Sequence, residues 1–192
     1  MSWRRCIWAA AATALLYGGM GSHESRSAPP VALEADGSVR IAARTLRCGN
    51  VRNVLDARLQ NLGISVPEAK LLVINPRLMA RQPGPVRLFV FQHECGHHHV
   101  GASELAADCW AVERGVRDGW LDAAGLAQIC QSFDDAPATA THPSGARRCS
   151  NLNRCFTAAV SRPNPSQTAP NGQPSTVGSM TAMPLPGDRA RP

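Results

Sequence analysis

Lysine is almost missing from this chain: of its 20 basic residues only Lys70 is not arginine, against 14 acidic residues. The arginines are scattered, and no basic run is interleaved with aromatic residues as a nucleic-acid groove requires. The formal charge of +6 therefore makes no case for nucleic-acid binding. There is no Cys-x-x-Cys pair, which excludes the usual cysteine zinc ribbon and a thioredoxin-like redox site. No apolar run reaches the roughly 20 residues of a confident membrane span, and no internal repeat is visible. What is present is an ordinary globular composition, 44% hydrophobic, in 192 residues. That length suits one domain with a proper core and not comfortably two.

The N-terminus reads as a signal peptide over residues 1–21. Arg4 and Arg5 form a positive start, residues 6–20 are apolar, and Gly19 and Gly21 suit a cleavage site. Membrane association is expected only if this segment stays uncleaved. Its removal takes Cys6 and leaves six cysteines: Cys48, Cys95, Cys109, Cys130, Cys149 and Cys155. An even count in an exported chain predicts disulfides and a periplasmic or secreted location. Cys149 and Cys155 are six apart, on different faces of any continuous helix, so each should pair with an earlier segment. Residues 161–192, rich in Pro, Ser, Thr, Gly and Asn, read as a disordered tail. Residues 22–160 are left as the folded domain.

Within that domain, residues 31–47 suggest a short strand or hairpin turning at Asp36-Gly37. Val51, Val54, Leu55, Leu59 and Leu62 fall at helical spacing, so residues 51–62 read as a helix stopped by Gly63. Residues 70–74 read as a strand ended by Asn75-Pro76. A helix should start near Pro85 and run to about His99. After a break at residues 100–102, Ser103 caps a second helix, with Glu104 in its first turn. Further helices are predicted over about 122–133 and 144–159. The class is α+β: mostly helical, with a short strand region ahead of the helix that carries the chemistry.

That chemistry lies in His93-Glu94-Cys95-Gly96-His97. On a helix, two histidines four apart project from one face, so both imidazoles can reach one metal ion. Glu94 sits about 100° round from His93, beside a metal rather than on it. A metal ion makes water a usable nucleophile near neutral pH, and a neighbouring carboxylate can take that water's proton and pass it to a leaving amine. Gly96 keeps bulk away where another segment must approach. Glu104 and Asp108, four apart on the next helix, share a face. The first can complete a tetrahedral shell, and the second can accept the N–H of a ligating histidine. Cys95, about 200° from His93, faces away from the metal and suits a disulfide or the core. His98 and His99 read as a solvated helix end, and Trp110 and Trp120 as packing residues. His23 has no specific role.

Taken with Thr141-His142-Pro143 and Arg148, these motifs resemble the gluzincin zinc metallopeptidases, most of all the HtpX-like group, family M48. The resemblance covers residues 85–155. It implies a small zincin-like domain with zinc ligands His93, His97 and Glu104, and Glu94 as general base. It further implies that Asp108 orients a ligand, and that His142 and Arg148 line the active site from a later loop. His142 would there steady an oxyanion or close the site in a latent state. The implied activity is zinc-dependent endoproteolysis of exported or envelope proteins, with a peptide or protein as partner. The alternative is a non-catalytic zinc-binding envelope protein, a pseudo-peptidase. In one respect the chain departs from the group: six residues separate His97 from Glu104, where the group has tens. A tight turn at Gly101 must fold Glu104 back; otherwise Asp108 or His142 becomes the third ligand.

Overall fold

The computed structural model describes residues 29–133 and 135–162. The segment read as a signal peptide, His23 and residues 163–192 of the tail lie outside these.

Two small sheets precede the helices. Strands β1 (Val31–Leu33), β2 (Val39–Ile41) and β3 (Arg44–Leu46) form an antiparallel meander. Its first turn is the expected one at Asp36-Gly37, where Asp36 Oδ1 accepts from the Ser38 backbone N–H and hydroxyl, and Gly37 takes a φ of 79°. The second sheet has the order β4 (Arg52–Leu55), β6 (Leu71–Ile74), β5 (Gly63–Val66). β4 runs parallel to β6, and β5 antiparallel to it.

The helix expected over 51–62 is thus replaced by β4, a turn and β5. Long-range partners outweigh the helical spacing: Arg52 to Leu55 pair with Leu71 to Ile74. The buried Asn53 donates to the Gly37 carbonyl of the other sheet, and Asn75 Nδ2 donates to the carbonyls of Ala57 and Leu59. Gly63 is the first residue of a strand, with a buried place in the structure.

Asn75 also caps the short helix α1 (Pro76–Ala80). The longest helix, α2 (Gly84–Val100), has proline in its first turn and ends at Gly101, whose φ is 76°. Helices α3 (Glu104–Arg117), α4 (Ala123–Phe133) and α5 (Gly145–Val160) follow, with Ser103 and Ser144 as N-caps of α3 and α5. The architecture is α+β, as expected. No helix among the described residues is long and apolar enough to cross a membrane.

Helix α2 separates two cores. Leu88, Phe91 and Cys95, at helical spacing, pack with Val31, Ile41, Leu72 and Ile74 of the sheets. Val86 and Phe89 pack on the other side with Ala111, Val112, Leu126, Ile129 and Leu152 of α3, α4 and α5. Each large side chain so buried contributes roughly 1.5–3 kcal/mol. Three disulfides fasten the layers: Cys48–Cys95 ties the β3–β4 connection to α2, Cys109–Cys155 ties α3 to α5, and Cys130–Cys149 ties α4 to α5. Both late cysteines therefore pair with earlier segments. Three disulfides are compatible with an oxidising compartment.

Candidate metal centre

His93 and His97 lie one turn apart on the inner side of α2, and their Nε2 atoms stand 3.2 Å from each other. Glu104 reaches both from the first turn of α3: its Oε2 is 3.3 Å from His93 Nε2, and its Oε1 is 3.5 Å from His97 Nε2. Ligand atoms about 2.0–2.1 Å from an ion at tetrahedral angles stand about 3.3 Å apart. The three side chains therefore match the edges of a tetrahedral shell and could hold a metal ion. Glu104 Oε2 is buried and, despite the nearness of His93, has no aligned hydrogen-bond partner, as a donor turned toward an ion would have none.

The six-residue link closes because of Gly101. Its backbone N–H caps α2 by bonding the His97 carbonyl, and its positive φ reverses the chain into the Ser103 cap of α3. Its own carbonyl accepts from His97 Nδ1 at 2.9 Å, which leaves Nε2 free to face the ion position. Close approach of the two helices does the rest. A methyl group placed on Gly96 would lie 3.2 Å from both the Cα and the carbonyl oxygen of Ala107. Gly96 is thus the space that lets α3 bring Glu104 onto α2.

His93 is fixed by a deeper chain of contacts. Its Nδ1 is 2.9 Å from Asp108 Oδ1, and Asp108 is completely buried. Arg148 of α5 grips that carboxylate with Nε at 2.9 Å from Oδ2 and with Nη2 on Oδ1. The guanidinium lies over the ring of Phe133, 4.3 Å from its centroid. In the metal-free chain, burial disfavours the His93 imidazolium, but the contacts with Asp108 and Glu104 outweigh it and lift His93 to about 9. Burial acts to raise Asp108, but the bonds from Arg148 and His93 win and hold it low.

Comparison with protein-family models, with curated proteins and with solved structures finds no match. The geometry carries the reading alone.

Glu94 sits on the opposite flank, toward the sheet. Burial pushes its carboxyl up, against the pull of His93 and His97. His142 stands at the rim, about half exposed, with Nε2 3.7 Å from Glu104 Oε1 and Nδ1 bonded to Thr141 Oγ1. All seven sequence-predicted site residues are thus brought together, with Arg148 reaching the centre through Asp108. A groove of about 630 Å³ opens over His93, Glu94, His97, Glu104 and His142. It is walled by β5 and Pro67-Glu68 on one side and by Gly101-Ala102 and Thr141-His142 on the other.

A second group, Cys48, Cys95 and His99, is also close enough to suggest a metal, but the two sulfurs are joined in a disulfide. His99 instead stacks on Trp110, ring centroids 4.9 Å apart. Each disulfide has one cysteine directly after a site residue: Cys95 after Glu94, Cys109 after Asp108, Cys149 after Arg148. Two supporting residues escape a reading of the sequence. Asn151, one turn beyond Arg148, donates to the Leu105 carbonyl and ties α5 to the start of α3. Gly63 lies directly beneath Glu94. The i, i+3 spacing of Arg148 and Asn151 is a signal for the first; nothing local points to the second.

Proposed function

We propose that this chain is a zinc metalloendopeptidase of gluzincin type, acting on exported or envelope proteins in the periplasm or outside the cell. The observation that carries this reading is the triangle of His93, His97 and Glu104 donors, 3.2–3.5 Å on a side, with the Glu94 carboxylate next to it in the same groove. Two imidazoles, one carboxylate and an open fourth position are the donor set of a catalytic zinc site. Zinc, when bound, supplies a Lewis acid that makes water nucleophilic near neutral pH.

The chain's own residues supply the rest. His93, His97 and Glu104 would hold the ion, and Asp108 keeps the His93 ring in the required tautomer. Glu94 takes the proton of the attacking water and delivers it to the leaving amine. Exposed at the rim, His142 can donate to the developing oxyanion or swing across Glu104 to close the site. β5, one of the two edge strands of its sheet among the described residues, walls the groove and offers an extended peptide a strand to lie against.

The test is zinc analysis of the purified protein beside a Glu94→Gln variant, both assayed on casein. The reading expects one zinc per chain in each, with proteolysis at least ~100-fold lower in the variant. Zinc in both with equal proteolysis would leave a binding protein and no enzyme. Without stoichiometric zinc, neither survives.

A further inference from the structure

We propose that Gly63 is a positioning residue for Glu94, the floor against which the general base is set; the inference rests on the metallopeptidase reading above. Glycine within a strand is unfavourable by roughly 0.5–1 kcal/mol relative to alanine. Here the backbone does not call for it, because φ at Gly63 lies outside the left-handed region. Space does. A methyl group on Gly63 would lie 3.0 Å from Glu94 Cγ, 3.0 Å from Ile74 Cδ1 and 3.4 Å from the Val73 carbonyl oxygen.

Glu94 depends on this contact more than its neighbours would. The two histidines are aimed by side-chain and carbonyl contacts, whereas no side-chain hydrogen bond among the described residues fixes the Glu94 carboxylate, which has the backbone N–H of Ser65 near it. Ser65 is two residues from Gly63 on β5 and so shares its face. Both residues are fixed in register on the central strand, Gly63 opposite Ile74 and Ser65 opposite Leu72. β5 therefore approaches α2 closely at the one residue without a side chain, and the depth of that approach sets how far Glu94 reaches into the groove. An added methyl group would push the Glu94 chain away from β5 while leaving His93, His97 and Glu104 untouched. A shift of about 1 Å in a reacting group can cost on the order of 100-fold in rate.

Full-length Gly63→Ala is compared with the wild type for zinc stoichiometry, KM and kcat, alone and in an Ile74→Val background. The latter removes Cδ1, relieves the second contact and keeps the variant folded. The expected result is full zinc, KM within about threefold, and kcat reduced about 10- to 100-fold in both backgrounds. Thermal unfolding of the metal-free proteins gives a readout that needs no activity. Gly63→Ala should lower the melting temperature by about 5 °C, and by less than half of that in a Glu94→Ala background, where Cγ is gone. An unchanged kcat, a kcat restored by Ile74→Val, zinc lost in step with activity, or a thermal penalty indifferent to Glu94 would each overturn the assignment. A wild type that binds zinc and cleaves nothing would overturn the metallopeptidase reading itself, and Gly63's role with it.

Discussion

The two flanks of α2 hold their chemistry by different means. On the helical flank, His93 is aimed by Asp108, Asp108 by Arg148, and Arg148 rests on Phe133, a succession of polar contacts closed inside the core. On the sheet flank, Glu94 is set by shape, with its chain against Gly63 and one backbone N–H beside the carboxylate. The difference matches what the proposed roles require of each group. A ligand needs one tautomer and one direction, which hydrogen bonds impose; a base needs reach, which a contact distance sets.

Breaking the helical flank should cost most. Asp108→Ala strands the Arg148 guanidinium, whose side chain is only 12% exposed, and should remove about 3–5 kcal/mol of stability. Zinc affinity should fall about 10- to 100-fold in the same variant. Denaturant melts and zinc titrations read both, and an affinity equal to the wild type's would remove Asp108 from its role. The contrast with Gly63→Ala, expected to keep zinc and lose turnover, is the sharpest form of the comparison. Gly96→Ala strikes the seam between α2 and α3. Overpacking against Ala107 should destabilise by about 1–3 kcal/mol, and zinc should bind more weakly because Glu104 is carried off with α3. Unaltered affinity there would mean that α3 yields without moving Glu104.

The smallest effect lies in the β1–β2 turn. Hydrogen bonds from the Ser38 side chain and backbone, with Arg47 nearby, hold Asp36 at about 2, below its ordinary 3.8. A depressed carboxyl stabilises the fold above its unfolded value and loses that contribution as pH falls through the folded one. Asp36→Asn should therefore melt slightly below the wild type at pH 7 and alongside it near pH 2. A gap that persists at pH 2 would assign the loss to turn geometry instead of charge.

Which parts of this were legible in advance follows from the range of the forces involved. Helices α2 to α5 and the cap Ser103 are local matters of periodicity and end chemistry, and they lie where the sequence places them. His93, His97, Glu104 and Asp108 were legible because helical spacing brings them together in pairs, and Glu94 because it adjoins His93; His142 and Arg148 entered only through the resemblance. Residues 51–62 were not. Their apolar spacing fits a helix, but β4 exists because Leu71–Ile74 lies beside it, and the loop after β4 is held by Asn75 from 16 and 18 residues away. Gly63 was hidden with it: a glycine that ends a helix and one that makes room for a distant glutamate look alike in one dimension.

The link from His97 to Glu104 is as short as the capping of two helices allows, with Gly101 bonded to His97 through both its N–H and its carbonyl. Such a link has no slack for insertion. The groove's two other walls, β5 with Pro67-Glu68 and the Thr141-His142 loop, carry no bond to the His97 ring and can be rebuilt without touching it. For anyone reshaping this protein, the molecule divides into a fixed cartridge, Gly84–Arg117, and two jaws to be rebuilt around Gly63 on one side and His142 on the other.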